Sequence, residues 1–195
     1  MHRSTLIGLL QQHRTPFNTE AGYVARALRF IEQHPDCFDR DLWPGHVTGS
    51  VWVVNPARDR VLLLHHGKHF QWFQPGGHAD SDDDILRVAL RETQEETGLP
   101  AEHIHLISDA LFDVDIHTIP ASDLGPRHRH YDMRFLVEID DCLDIPGSHE
   151  SNAVAWVRLS DVPYYNNNLS TYRMLEKTRR MRLQQTLAHT GNARA

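Results

Sequence analysis

Residues 77–99, GHADSDDDILRVALRETQEETGL, decide how this chain is read. A helix is predicted from about Asp83 to Thr97, with three aspartates at its start and Gly98 and Pro100 beyond its end. At about 100° per residue, Ile85, Val88 and Ala89 share one side, which faces a core. Glu92 and Glu96 fall on that same side and Glu95 on its flank, while Arg87 and Gln94 take the wet face. The helix therefore begins by burying hydrocarbon and ends by aiming carboxylates at the interior or a cleft. Unpaired anions there would cost several kcal/mol each in desolvation and repulsion, so cations are expected. Oxygen-only ligands suit Mg²⁺ or Mn²⁺, which prefer carboxylates and water and bridge to substrate phosphates. The plainer alternative is solvated glutamates at a helix end, paired with Arg87 or Arg91. The shared apolar side and the preceding Gly76-Gly77 pair weigh against it.

On either side of this helix the pattern is strand-like. Val47–Val54 and Val61–Leu64 read as strands joined by a polar turn at 55–59, hence an antiparallel pair. Trp72–Gly77 leads into the helix. Further strands are expected near His105–His117, His130–Ile139 and Ala153–Val157, then a helix from about Leu169 to Ala188. Before them, Ser4 is placed to cap a helix ending at Gln12. Asn18 or Thr19 is placed to cap a second, carrying Val24, Ala27, Leu28 and Ile31 and ending before Pro35. This order predicts an α/β sandwich with a mixed sheet and a helical N-terminal extension. The expected divisions are the extension at 1–45, a main domain at 46–188 and a flexible tail at 189–195.

Composition narrows the function. The 195 residues carry a formal charge of -6, which argues against nucleic acid as the main partner. Two cysteines, Cys37 and Cys142, form no framework and suggest a reducing, cytoplasmic setting. No run approaches the roughly 18 apolar residues of a membrane span, and no targeting signal is read. Histidine is the outlier, with 15 in the chain.

Gly77, Arg91, Glu92, Glu95, Glu96, Gly98 and Leu99 stand at the spacing G-x5-E-x7-R-E-U-x-E-E-x-G-U, U being a bulky aliphatic. This resembles the Nudix box of the Nudix hydrolases; Asp83 replaces a glutamate and Thr93 an aliphatic. The resemblance extends over roughly His46 to Leu187. It implies a Nudix-type α/β/α sandwich and a hydrolase that cleaves a diphosphate in a nucleoside diphosphate derivative or nucleotide, using Mg²⁺ or Mn²⁺. It further implies Glu92, Glu95, Glu96 and the Gly76 carbonyl as metal ligands, with Arg91 holding Glu92 by an ion pair. Glu95, Glu92 or a base from a later loop would take the proton from water. Asp83 would be supportive, and Thr93 would weaken one packing contact. Two other readings stay open: a nucleotide-binding regulatory module on the same fold, and a prenyl-diphosphate isomerase, for which no cysteine stands beside the metal motif.

His128, His130 and Asp132 alternate with Tyr131 and Met133, so on a strand they share one face. They are candidates for substrate contact or an accessory metal site, the alternative being a polar sheet face. His78, directly after the glycine pair, is a further substrate candidate. His65, His66 and His69 read as exposed polar residues, Trp43, Trp52, Trp72 and Trp156 as packing, and Arg127, Arg129 and Arg134 as solvated. Glu150 is a candidate loop carboxylate. Val114 and Ile116 stand where proline and tyrosine markers of ADP-ribose and dinucleoside-polyphosphate enzymes would be expected, and no coenzyme A signature is present. The substrate within the nucleotide class is left open. The expected partner is a small molecule, with neither nucleic acid nor membrane; a homodimer is compatible with the sequence.

Overall fold

The structure is a computed structural model that describes residues 3–67, 71–122, 125–148 and 151–192, with side chains to residue 187. His69, Glu150 and the last three residues of the expected tail lie outside the described residues. In chain order the elements are α1 (Ser4–Gln12), α2 (Asn18–Gln33), β1 (Gly45–Val54), β2 (Arg60–His66), β3 (Trp72–Phe73), β4 (Gly76–His78), α3 (Ile85–Thr97), β5 (His105–Ile119), β6 (His128–Glu138), β7 (Ser151–Arg158), α4 (Val162–Tyr165) and α5 (Leu169–Asn192). A 3-10 turn at Ala101–His103 links α3 to β5.

The strands form one mixed sheet in the order β3-β2-β1-β6-β5, with β4 also on β1 and β7 on β2. The β1–β6 pair is parallel and the others antiparallel, including β1–β2 through Val54 opposite Val61. Alternation along β1 assigns its faces. Val47, Val51 and Val53 join Tyr131, Met133 and Phe135 in a core that Leu6, Leu10, Ala27, Phe30, Ile31, Ile85, Val88 and Ala89 complete from α1, α2 and α3. Phe30 stacks on Tyr131 at 4.0 Å. Trp52 and Val54 point the other way, into a second core with Leu63, Leu136, Val157, Met174 and Leu175, the last two from α5. Burying one such side chain contributes roughly 1.5–3 kcal/mol, so both faces need their helices. This is the α/β/α sandwich.

Several local expectations are corrected. Neither Ser4 nor Asn18 caps by its side chain: the cap positions are Arg3 and Phe17, without side-chain cap bonds. At α2 the turn is instead tied by Thr15, whose hydroxyl accepts from Phe17 N and donates to Glu20. The α3 helix begins at Ile85, not Asp83, because Asp84 accepts from the Arg87 amide. The α5 helix runs past Ala188 to Asn192, reaching the Gly191-Asn192 pair that favours termination. Short α4, β3 and β4 have too few residues to show a period. Arg134 is 4% exposed, not solvated, and is considered with the site below.

Candidate active site

The α3 helix reaches the sheet through two glycines. Gly49 and Gly77 are register partners across β1 and β4, and α3 lies over both. A Cβ on Gly49 would stand 2.9 Å from the Ile85 carbonyl, and one on Gly77 would overlap the Glu92 carboxylate. A side chain at Gly49 would hold the helix off, and one at Gly77 would displace the Glu92 carboxylate, so glycine at the first sets the close approach and at the second makes room for the acid.

The connection from β4 to α3 is anchored from residues 38–40. Ser81 N donates to Phe38 O at 3.0 Å, Ser81 Oγ donates to Asp39, and Arg40 pairs with Asp80. Asp80 and Ser81 sit in the left-handed region at φ 51° and 67°, uncommon for non-glycine residues and held here by those bonds. Asp82 pairs with Arg87 and accepts from the Asp84 amide. Of the three aspartates, Asp82 and Asp84 thus organise the helix start, and half-buried Asp83 makes neither of those two bonds.

At the far end of α3, Arg91 Nη2 donates to Glu92 Oε1 at 2.7 Å and to the His78 carbonyl at 3.1 Å, fastening Glu92 to β4. Glu96 Oε2 accepts from Gly76 N at 2.8 Å. Glu92 and Glu96 are half-buried and Glu95 is exposed. As a trio these carboxylates do not come within 4.8 Å of one another; among the described residues His46, His78 and His130 do. Thr93 is fully buried, its hydroxyl donating to Ala89 O at 2.7 Å, so it occupies its packing position with the polar group satisfied.

The opposite face of the sheet carries the histidines. His46 on β1 is the register partner of His130 on β6, and His78 on β4 partners Thr48, two residues along β1. His46, His78, His128 and His130 have ring centroids 4.8–5.1 Å apart in their close pairs, and His117 on β5 stands 5.3 Å from His130. His46 is 1% exposed, and neither ring nitrogen has a hydrogen-bond partner; the nearby Leu42 carbonyl favours the charged ring slightly without meeting bond geometry. Burial is the main cause, with repulsion between the crowded rings and, at His46 and His78, from Arg40 adding to it; it lowers His46 to about 4 and His130 to about 2, and also depresses His78. All three rings are therefore neutral at neutral pH. His128 contacts the Pro126 carbonyl through Nδ1 at 2.8 Å and His130 through Nε2 at 3.2 Å.

Asp132 shares this face by alternation but not this environment. It is 4% exposed and accepts from Thr48 Oγ1 at 3.2 Å, Ser50 Oγ at 3.0 Å and Arg134 Nε at 2.7 Å. Arg134 continues to Asp113 and Asp115, and Arg173 and Lys177 of α5 also reach Asp113. His65 and His66 are half-buried rather than exposed, packed against Trp72 and Phe73. Trp52 is a core residue whose Nε1 donates to Thr178, whereas Trp43 is 40% exposed and stands edge-on to His128.

Sequence reasoning missed His46, Glu20, Asp113 and Asp115. The signal for His46 was the alternation of His46, Thr48 and Ser50 with Val47, Gly49 and Val51, which puts it on the polar face. A separate concavity of about 470 Å³, walled by Arg60, Arg158, Arg179 and Arg182, shares no residue with the glutamates or histidines.

Comparison with known proteins agrees with this architecture. A sequence profile described as NUDIX domain matches residues 44–178, and the chain belongs to that family. Mouse mitochondrial coenzyme A diphosphatase NUDT8 is 36% identical over 80 residues, 38% of each chain. Phosphatase NudJ of Escherichia coli K12 is 29% identical over 126 residues, 63% of this chain and 74% of NudJ. Against three curated relatives, the match spans only 38–49% of the relative's length. Among solved structures, a binary complex of the Caenorhabditis elegans Ap4A hydrolase superposes with a TM-score of 0.56 at 21% identity, covering 73% of this chain and 98% of that one. Among the described residues no helix is long and apolar enough to cross a membrane.

Proposed function

We propose that this chain is a divalent-metal-dependent hydrolase that cleaves a diphosphate linkage in a nucleotide or nucleoside diphosphate derivative. One observation carries the reading: the acidic end of α3 is docked onto the Gly76–His78 strand through Arg91–Glu92, Arg91–His78 and Gly76–Glu96. The donor set fits a hard cation, being oxygen-only, and the missing Cβ of Gly77 makes room for the Glu92 carboxylate. Glu92, Glu95 and Glu96, with the Gly76 carbonyl, would hold Mg²⁺, or Mn²⁺ in its place. Bound there, the ion supplies charge against the phosphate oxygens and acidifies water.

The protein's own groups do the remaining work. Arg91 fixes the direction of Glu92, and Glu95, the exposed member, is best placed to accept the proton from water, with Glu92 as the alternate base. His78, His128 and His130 border the glycine strand and contact the substrate through their ring nitrogens. Asp132, committed to Thr48, Ser50 and Arg134, is left out of that role. The names of the relatives, a coenzyme A diphosphatase and a DHNTP pyrophosphohydrolase among them, support a diphosphate target. Free Cys37 and Cys142 support a reducing, cytoplasmic setting.

The test is a panel of nucleoside diphosphate derivatives and dinucleoside polyphosphates incubated with protein and Mg²⁺. Cleavage of at least one member is expected, with Glu96→Gln slower by about 100-fold, or about 3 kcal/mol of barrier. Folded protein that cleaves none of them would favour a nucleotide-binding module. Full activity in Glu96→Gln would remove the metal assignment.

A further inference from the structure

We propose that His46, His78 and His130 form a trihistidine site for a divalent transition metal, zinc by preference, separate from the carboxylates at the end of α3. The placement follows from strand register. β4, β1 and β6 are neighbours in the sheet and each presents one imidazole to the same face. One donor nitrogen from each ring lies within 4.8 Å of the others. Zn–N bonds of about 2.0–2.1 Å place tetrahedral nitrogens roughly 3.4 Å apart, so modest ring rotation converges them.

Burial supplies the second argument. The His46 ring is closed off from solvent with both nitrogens unpartnered, a costly condition that native interiors rarely tolerate. A metal bond satisfies one of the two nitrogens. A hydrocarbon side chain would serve better if the site were only packing. His128 adds the support expected of an outer partner, since its contacts to Pro126 and His130 orient the His130 ring. The other close donor group, Asp140, Asp141 and Cys142, lies in a partly exposed turn where Asn55 and Arg60 already engage Asp141.

Donor chemistry separates the two sites. Imidazole suits zinc, nickel, copper and iron, while Mg²⁺ prefers oxygen. Three neutral ligands leave the ion its full double charge and a fourth position for water or a phosphate oxygen. Access comes from the half-buried His78 and His130. A phosphate-bearing anion is therefore the class of ligand this ion would take. The proposal does not depend on the chain being a hydrolase, because its readout is metal uptake.

The test uses the full chain, stripped with a chelator and titrated with Co²⁺ in millimolar Mg²⁺. One equivalent of Co²⁺ should bind with a visible absorption band, and Zn²⁺ should displace it. His46→Gln and His78→Gln should each weaken uptake by about 100-fold or more, whereas Glu92→Gln/Glu96→Gln should retain the band. Circular dichroism melts establish that each variant is folded; should His46→Gln fail that check, His78→Gln and His130→Gln decide. No uptake by the wild type overturns the proposal. So does uptake that survives in the folded histidine variants or disappears in the glutamate variant.

Discussion

One polar face of β5 and β6 has two halves in opposite electrostatic condition. In the half beneath α5, Asp113, Asp115, Asp132 and Glu20 of α2 meet Arg134, Arg173 and Lys177, four carboxylates against three permanent cations. Glu20 accepts from His13, Lys177 and the Val114 amide at 2.8, 2.6 and 3.1 Å, tying the N-terminal helices to the sheet. At Asp115 burial and opposed charge compete, and opposed charge wins: desolvation pushes the carboxyl upward, yet Arg134, His117 and Arg173 hold it below the usual carboxylate range. In the half beside β4, His46, His78, His128 and His130 crowd together, with no carboxylate among the three that converge, and His117 stands at the border, its Nδ1 3.5 Å from Asp115. Where a chain supplies its own counterions, a buried polar face is architecture. Where it does not, the face is poised for a ligand.

The largest expected effect separates the halves by what breaks. Asp113 is fully buried against Arg134, Arg173 and Lys177. Asp113→Ala removes the one carboxylate that all three cations share, leaving them only Asp115, Asp132 and Glu20, and should lower unfolding free energy by about 3–5 kcal/mol in urea denaturation. Glu96→Gln, which keeps an acceptor for Gly76 N, should change stability by less than about 1 kcal/mol while losing activity. Equal stability losses in the two variants would erase the distinction.

Acid should dissolve the compensated half next. Burial pushes the Glu20 carboxyl up, but bonds from His13, Lys177 and Thr15 bring it from 4.5 down to about 2. The unfolded chain thus binds the proton first: this stabilisation is complete above about pH 4.5 and is lost as pH falls toward 2. The shift corresponds to about 3 kcal/mol. Stability measured down that window should fall more steeply in the wild type than in Glu20→Gln, which begins lower and titrates less. Parallel curves would show that Glu20 is not held as described.

What the sequence revealed divides along similar lines. The α3 period, its Gly98 stop and the alternation in β1 and β6 are local patterns, and local sterics and burial write them directly into residue order. The Arg91–Glu92 pair is likewise between neighbours in the chain. The partners of Asp132 and Arg134 were not legible, because alternation gives the face but not what covers it. Arg173 and Lys177, which join the network through Asp113, lie about 40 residues further along, and Glu20, which joins it through Lys177, more than 110 before. His46 needed the parallel β1–β6 register, a pairing between strands more than 80 residues apart. Caps were misplaced because several residues at each start could serve; at α3 one hydrogen bond, from the Arg87 amide to Asp84, chooses among them.

The smallest expected effect concerns polar groups that lie in neither half. Thr93 and Thr97 are both fully buried on α3, and each donates its hydroxyl to the carbonyl one turn back, at 2.7 and 2.6 Å. Those carbonyls keep other bonds if the hydroxyls go. In Thr93→Val, Ala89 O still accepts the helical amide, the branched shape is retained and no donor is orphaned, so stability should change by less than about 1 kcal/mol. Thr97 has one further duty: its hydroxyl oxygen accepts from the Leu99 amide at 3.2 Å, in the turn that leaves the helix at Gly98. Thr97→Val strands that buried amide and should cost about 1–3 kcal/mol. Urea denaturation of the two variants compares them directly. If Thr93→Val proved the more damaging, the cost of a buried polar group here would not be set by whether its removal leaves a partner unsatisfied, and the contrast between the two halves of the sheet would lose its physical basis.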